Sequence, residues 1–163
     1  KPSKSLRVVS MLDEKNVLAV LTEDPWGNGR LMVNSKDERL LIYAGADTDG
    51  DGSLWVDSKD GKELIYAGSD GRGEGILKVS SKNGQEVIHA RVGPWGNGQL
   101  AVNSKDGKQL IGAGANTSGT GGVFILTNKT GENVVQLEAD EYGNGVVGAY
   151  SRKGMGRTLK PGP

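Results

Sequence analysis

The stretch DTDGDGS at residues 47–53 has the residue types of a metal site, because Asp47, Asp49 and Asp51 alternate along it. A calcium loop of this kind needs a bidentate Glu at its twelfth position, and this chain has Ser58 there. Related stretches elsewhere in the chain read DPWGNG, DGRGEG and GPWGNG, and Asp, Asn and Gly favour turns for backbone reasons. The pattern therefore predicts a turn, with calcium bound by the three aspartates as the alternative.

Three tryptophans are candidates for contact with a partner. Trp26 and Trp95 each stand in the sequence PWGNG, and the two copies begin 69 residues apart, at Pro25 and Pro94. Proline fixes φ ahead of each ring, and an exposed Trp can stack on a sugar ring or fill a partner's pocket. The same ring can equally pack across the neighbouring turn. Trp55 falls at a strand position that varies along the chain, so we expect it to point outward. Trp26, Trp55 and Trp95 are therefore the predicted contacts for a glycan or a receptor.

The sequence gives no arrangement that predicts catalysis. His89 is the single histidine, so no second histidine can complete a three-ligand zinc set. A Ser-Lys dyad can activate a serine, but the pair recurs four times beside a predicted turn, which indicates a role in the turn. The four pairs are Ser35-Lys36, Ser58-Lys59, Ser81-Lys82 and Ser104-Lys105. The Gly-x-Gly sequences lack the following helix and the Gly-Lys-Ser/Thr of phosphate loops. We expect a protein that is not an enzyme and that has no catalytic or cofactor-binding residues.

Composition narrows the classes of partner. Lys+Arg and Asp+Glu number 20 each, so the formal net charge is zero, which argues against nucleic-acid binding driven by bulk charge. No run of about 18 apolar residues occurs that could insert into a membrane. With 27 glycines among 163 residues and only 35% hydrophobic residues, the chain predicts a thin core and many turns. The chain has no cysteine, so it has no disulfide framework.

A repeat explains why PWGNG occurs twice. The second glycines of five Gly-x-Gly pairs, together with Gly122 of the Gly-Gly pair at 121–122, are spaced by 23 residues, with a single step of 24. These glycines are Gly29, Gly52, Gly75, Gly98, Gly122 and Gly145. The distance of 69 residues is therefore three repeats, and a degenerate first copy at Leu6 makes about seven.

Each repeat predicts two short strands. Apolar residues two and four positions after the repeat glycine, such as Leu31 and Val33, alternate with a variable position and predict a strand with one buried face. An Asp-Gly or Asn-Gly pair then predicts a tight hairpin in which both residues tolerate φ > 0. The second strand has two adjacent apolar positions, as at Leu41 and Ile42. Adjacent residues face opposite ways, so we expect a second copy of the chain to cover one face, with a β-bulge as the alternative.

The predicted fold is all-β: an elongated array of about seven 23-residue, two-strand units. Residues 1–154 form a single repeat domain, and residues 155–163 form a C-terminal cap in which Pro161 and Pro163 end the strand pairing. The tight turn favours an antiparallel meander locally. The assembly is expected to be an intertwined or three-sided homotrimeric β-helix or prism, with a single-chain β-solenoid as the alternative.

The repeat, written GNGxLxVNSKDGKxLIxAGA, resembles those of trimeric β-helical or β-prism fibres such as phage tail-fibre shafts and bacterial surface fibres. The chain also resembles Gly-rich bacterial repeat proteins that end in a segment similar to GRTLKPGP. The resemblance covers nearly the whole chain. It implies a homotrimeric shaft, stalk or adhesin that is extracellular, on the cell surface or on a virion, and it implies no shared catalytic residues. We therefore expect a structural fibre segment, with a glycan- or receptor-binding adhesin module as the alternative.

Overall fold

The computed structural model describes residues 6–9, 16–115 and 121–160, and every regular element within these ranges is a β-strand. The chain divides into two compact units, Lys1–Gly84 and Gln85–Pro163. The strands of the first unit are β1 (Leu6–Val9), β2 (Val17–Glu23), β3 (Gly29–Asn34), β4 (Leu40–Ala46), β5 (Gly52–Asp57), β6 (Glu63–Ser69) and β7 (Gly75–Ser80). The strands of the second unit are β8 (Glu86–Val92), β9 (Gly98–Asn103), β10 (Gln109–Ala115), β11 (Gly122–Thr127), β12 (Asn133–Ala139), β13 (Gly145–Tyr150) and β14 (Gly156–Leu159). The all-β prediction is confirmed, and the described residues contain no helix that is long and apolar enough to cross a membrane.

In each unit the strands pair antiparallel and in chain order, which makes each unit a meander. All six repeat glycines predicted from the sequence are the first residues of strands, so the predicted repeat boundaries are those of the structure. Part of the predicted C-terminal cap also belongs to the sheet, because Leu159 of β14 pairs with Val147 of β13. Pro161 and Pro163 lie outside the described residues.

The described turns share one five-residue geometry. The N–H of the fourth residue donates to the carbonyl of the first, and in the turns other than the one that begins at Ser81 the N–H of the first residue donates to the carbonyl of the fifth. The fourth residue has a positive φ and is glycine in each described turn except one, where Glu38 has φ 61°. This is a type I turn followed by a left-handed residue. The predicted hairpins are present, and of the pair Asp60-Gly61 only Gly61 adopts a positive φ.

A β-bulge accounts for the two adjacent apolar positions of the second strand. Val33 pairs with Ile42 and Asn34 pairs with Leu40, so Leu41 is an extra residue opposite a continuous partner strand. The same shift leaves an extra residue at Leu18, Leu64, Leu110 and Val134. The bulge alternative is therefore the one that the structure has, and the adjacent apolar positions do not by themselves require a second copy of the chain.

Cross-strand pairing gathers apolar side chains on one side of each unit, here called the apolar face. In the first unit its two rows are Leu21, Leu31, Ala44, Leu54, Ala67, Leu77 and Ala19, Val33, Ile42, Val56, Ile65, Val79. In the second unit they are Ala90, Leu100, Ala113, Phe124, Leu137, Val147 and Ile88, Val102, Ile111, Leu126, Val135, Ala149. The sequence predicts burial of these columns, but Leu54 is 39% exposed and Leu77 is 43% exposed. A single chain therefore covers this face only in part.

The opposite side of each unit, here called the variable face, contains the positions that differ between repeats. Its central row is Val20, Met32, Tyr43, Trp55, Tyr66, Lys78 in the first unit and His89, Ala101, Gly112, Ile125, Gln136, Gly148 in the second. The buried non-glycine side chains of the described residues, Ser53, Ala101 and Val146, are small and lie on this face. Among the described residues no large side chain is fully buried, as the composition predicts.

Candidate functional site

In the described turns other than the one that begins at Gly93, the first residue has a side-chain oxygen that accepts backbone N–H groups of the turn. One carboxylate oxygen of Asp47 accepts the backbone N–H groups of Asp49, at 3.0 Å, and Asp51, at 2.9 Å. The other oxygen accepts the hydroxyl of Ser69 at 3.0 Å. Partial desolvation alone would raise the pKa of Asp47, but these hydrogen bonds outweigh it and hold the pKa below its ordinary value. Asp47 therefore remains an anion that orders its own turn.

This geometry places the three predicted metal ligands in one turn without turning them toward a common point. Both oxygens of Asp47 are engaged by protein donors. In the described ranges, no group of three or more His, Cys, Asp or Glu side chains is arranged to hold a metal ion. The structure supports the turn interpretation of Asp47, Asp49 and Asp51, since the same cap recurs where Asp24, Asp70 and Asp140 begin their turns.

Trp55 lies at the centre of an aromatic ladder on the variable face of the first unit. Its ring is flanked by Tyr43, with centroids 5.4 Å apart, and by Tyr66, with centroids 6.1 Å apart. The three residues are direct cross-strand partners on β4, β5 and β6. The ammonium of Lys78 on β7 lies 5.7 Å from the centroid of the Tyr66 ring and continues the row as a cation–π contact.

The two tyrosines are fixed by their hydroxyls and by neighbouring glycines. The hydroxyl of Tyr43 donates to the carbonyl of Ala46 at 2.8 Å, and that of Tyr66 donates to the carbonyl of Ser69 at 2.9 Å. Each ring lies along its own strand over a glycine two residues later; a Cβ at Gly68 would be 2.6 Å from the Tyr66 oxygen. Partial burial, and then the charge of Asp47, raises the pKa of Tyr66 above 10.0, so its hydroxyl stays a donor.

A groove of about 540 Å³ lies beside this ladder, within the first unit. The three rings of the ladder form part of its wall, and the rest comes from three turns and from strand residues such as Arg30 of β3. Trp26 reaches the groove from the turn of residues 24–28, and Asp49 lines it from the turn of residues 47–51. The structure therefore brings Trp26 and Trp55, both predicted contacts, to one groove together with two of the predicted metal ligands, Asp47 and Asp49.

Two polar groups at the groove have no protein partner. The Nε–H of Arg30 is shielded from solvent and makes no hydrogen bond within the described residues. A buried donor without an acceptor costs about 1–3 kcal/mol, and more for a charged group. Asp49 is exposed, and no described residue donates to its carboxylate, in contrast to Asp47 in the same turn. Of the two, only the exposed Asp49 carboxylate is open to a ligand in the groove, because the Nε–H of Arg30 is out of reach even of water.

Trp95, the third predicted contact, lies in the second unit and has different surroundings. Its ring is 78% exposed, as is that of Trp26. The variable face of the second unit has a smaller cavity of about 250 Å³, lined by residues such as His89, Gln99 and Ile125, and Trp95 does not line it. Trp95 thus lines neither the groove of the first unit nor this cavity of the second.

The remaining polar residues singled out by the sequence serve local structure. Nδ1 of His89 lies 2.5 Å from a carboxylate oxygen of Glu86 on the same strand. In the predicted turns the serine hydroxyl accepts backbone N–H groups, as when Ser58 accepts that of Lys62 at 3.1 Å. Lys59 forms an exposed ion pair with Asp60 at 2.9 Å. The serine and the lysine of this pair therefore interact with different partners, as the turn interpretation predicts.

Sequence reasoning missed Tyr43, Tyr66 and Arg30 as members of one groove. The sequence did contain a signal for the two tyrosines, because Tyr43, Trp55 and Tyr66 occupy the variable position of three successive strands. Comparison of the chain with known protein families gives no match, and comparison with curated proteins gives none either.

Proposed function

We propose that this chain is a non-enzymatic structural segment that assembles with further copies of itself through the apolar face. The supporting observation is that the leucine rows of this face are about two-fifths exposed in both units, as at Leu54 and Leu100. Contiguous apolar surface of this extent marks an interaction site in a soluble protein. The shaft, stalk or tail-fibre role implied by the resemblance would place such a segment in an extracellular or virion fibre.

The chemistry of the apolar face favours a second copy as its occupant. Leucine and alanine alternate across neighbouring strands, in the order Leu31, Ala44, Leu54, Ala67, Leu77. With strands about 4.8 Å apart, the leucine ridges recur about every 10 Å and alanine leaves a gap between them. The leucines of another copy can fill these gaps. The two rows contain no charged residue that would have to lose its hydration in the contact.

The total accessible surface agrees with an incomplete core. The chain exposes 11284 Å². A compact monomer of its mass, 17.1 kDa, would expose roughly 7,800 Å², and two separate domains of half that mass roughly 9,300 Å². Burial of apolar surface stabilises by about 25 cal/mol per Å², so covering the apolar face with further copies would add substantially to stability. A homotrimer is the assembly that the fibre resemblance implies.

The test is the mass in solution, measured by light scattering coupled to size exclusion. We expect about three times the chain mass of 17.1 kDa. Leu100→Lys places a charge on the apolar face and is expected to yield the single-chain mass. Gln99→Lys, one residue earlier on the variable face, is the matched control and is expected to leave the mass unchanged.

Two results would contradict this proposal. One is a wild-type chain that stays at the single-chain mass at the highest soluble concentration. The other is a Leu100→Lys chain that assembles as the wild type does while retaining its far-ultraviolet circular dichroism. Because Leu100 is exposed in the single chain, a lysine there can extend into water, and the fold is expected to survive the substitution.

A further inference from the structure

The groove of the first unit combines features that the structural role does not use. Its volume of about 540 Å³ lies in the usual range for small-ligand sites. It opens on the variable face, whereas the proposed assembly uses the apolar face. A ligand in the groove and a second copy of the chain on the apolar face can therefore be bound at the same time. Ligand binding and assembly are thus independent hypotheses that can be tested separately.

The groove presents aromatic surface beside an unused polar group. The Trp55 ring is 39% exposed between its two tyrosines, and Trp26 is largely exposed at the groove's edge. Asp49 contributes an exposed carboxylate with no protein donor among the described residues. A ligand that suits this site has flat apolar surfaces and, at their edges, groups that donate hydrogen bonds. Sugar rings have this combination, with C–H faces that stack on aromatic rings and hydroxyls at the rim.

Charge excludes one class of sugar. Four aspartates line the groove against a single arginine: Asp24, Asp47, Asp49 and Asp70 against Arg30. Hydrogen bonds hold the pKa of Asp47 below its ordinary value, and the Arg72 side chain does the same for Asp70, so the groove is anionic at neutral pH. An anionic polysaccharide would be repelled.

The form of the aromatic surface favours a chain over a compact cation. The three rings of the ladder lie in a row on adjacent strands, tilted by 34° and 43° to one another, so they form an extended wall and not a cage. A quaternary ammonium is recognised by rings that enclose it. Moreover, Lys78 already lies over the Tyr66 ring and supplies its cation. From these observations we propose that the groove of the first unit binds a neutral oligosaccharide, with Trp26 and Trp55 stacking on its sugar rings and the Asp49 carboxylate accepting hydrogen bonds from its hydroxyls.

The chain itself provides the control site. Trp26 and Trp95 stand in identical PWGNG turns and are equally exposed. At the register of Tyr43, Trp55 and Tyr66, however, the second unit has Gly112, Ile125 and Gln136. Trp95 therefore has no ladder beside it. A sugar that merely stacks on any exposed tryptophan would not distinguish the two positions, whereas a sugar held in the groove would.

The experiment is isothermal titration calorimetry of the full chain with cellohexaose, xylohexaose and mannohexaose. We expect saturable binding of at least one, a loss of affinity of about tenfold in Trp26→Ala, and no change in Trp95→Ala. Both rings are exposed, so neither substitution should disturb folding. Asp49→Ala removes an acceptor without touching the Asp47 cap and is expected to weaken binding by about threefold.

Several outcomes would overturn the proposal. Absence of binding to all three hexasaccharides at millimolar concentration is one, and equal losses in Trp26→Ala and Trp95→Ala are another. Tighter binding of choline or of polygalacturonate than of the neutral sugars would show that the groove selects for charge. The mass of the chain in solution is measured separately. A monomer that binds sugar would contradict only the proposed assembly, and a trimer that does not bind sugar would contradict only the proposed sugar site.

Discussion

Residues 25–46 and 94–115 are nearly the same sequence and fold in the same way, yet only the first borders an aromatic groove. Both begin with PWGNG, and both form two strands in which Leu31 pairs with Ala44 and Leu100 with Ala113. The repeated turn therefore does not create the site. What differs is the variable row, where Tyr43 of the first stretch is replaced by Gly112 in the second.

This difference shows how the repeat separates scaffold from specificity. The apolar rows recur because each strand must contribute apolar side chains to the same face. The variable row lies on the opposite face, so its residues can differ from one repeat to the next. In the first unit three neighbouring strands contribute Tyr43, Trp55 and Tyr66, and the rings stabilise one another. At the corresponding positions the second unit has Gly112, Ile125 and Gln136, none of which is aromatic. Cross-strand neighbours, more than the residue itself, decide whether a ring at this position forms a site.

The largest effect on stability is expected when Trp55, the central ring of the aromatic ladder, is removed. Trp55→Ile gives the first unit the residue that the second has at Ile125, and removes two aromatic pairs. Each such pair is worth about 0.5–1.5 kcal/mol, so the free energy of unfolding should fall by about 1–3 kcal/mol. Urea denaturation followed by far-ultraviolet circular dichroism measures it.

The reverse substitution sharpens the comparison. Ile125→Trp places a ring between Gly112 and Gln136, neither of which is aromatic. We therefore expect the free energy of unfolding to change by less than about 0.5 kcal/mol. Equal and opposite effects at the two positions would show that the ring acts by itself, contrary to the ladder interpretation.

Much of the scaffold could be predicted from the sequence because its causes are local and repeated. The six repeat glycines mark the starts of strands, and Asp-Gly or Asn-Gly pairs mark hairpins. The turn type was harder, since Asp60-Gly61 suits both a two-residue turn and the observed type I turn with a left-handed glycine. A two-residue turn would give both Asp60 and Gly61 a positive φ, so the backbone angles in the structure are needed to tell the two turn types apart.

The site was less predictable because it depends on register across strands. Tyr43 and Trp55 are twelve positions apart, and they become neighbours only through the pairing of β4 with β5. The unpaired donor of Arg30 depends likewise on what surrounds it in three dimensions. The sequence also could not decide between a bulge at Leu41 and coverage by a second copy, because both explain adjacent apolar residues.

The turns provide a second, smaller contrast between the same two stretches. Glu38 adopts φ 61°, whereas the equivalent Gly107 adopts φ 78° without a side chain to strain. A non-glycine residue in the left-handed region costs about 1–2 kcal/mol. Glycine avoids this cost but loses more backbone freedom on folding, which offsets part of the gain. Glu38→Gly should therefore raise the free energy of unfolding by about 1 kcal/mol, measured by urea denaturation.

Glu38→Ala is the control for this prediction, because it removes the charge but keeps the Cβ that makes the conformation costly. It should leave stability within about 0.5 kcal/mol of the wild type. If Ala and Gly stabilise equally, the gain comes from removing the exposed carboxylate and not from relief of the backbone.

The smallest effect is expected at Asp24, whose counterpart in the second unit is Gly93. Gly93 keeps both backbone hydrogen bonds of the turn, at 2.7 and 3.0 Å, so the carboxylate is an addition to a turn that forms without it. Partial desolvation would raise the pKa of Asp24, but hydrogen bonds from the side chain and backbone of Asn28 and from the Trp26 N–H outweigh it and lower the pKa. Asp24→Gly should therefore destabilise the chain slightly at neutral pH.

The pH dependence of this loss follows from the sign of the pKa shift. A carboxyl whose folded pKa lies below its ordinary value of 3.8 contributes fully above that value, and its contribution disappears as the pH falls through the folded pKa. The difference in melting temperature between wild type and Asp24→Gly should thus narrow below pH 3.8, down to the part caused by glycine's flexibility. Asp24→Asn keeps an acceptor that does not titrate, so its melting temperature relative to the wild type should rise over the same range. A gap between wild type and Asp24→Gly that widens with acid would mean that the Asp24 carboxylate is unfavourable in the folded chain, and that the glycine of the second unit is the better residue at this turn.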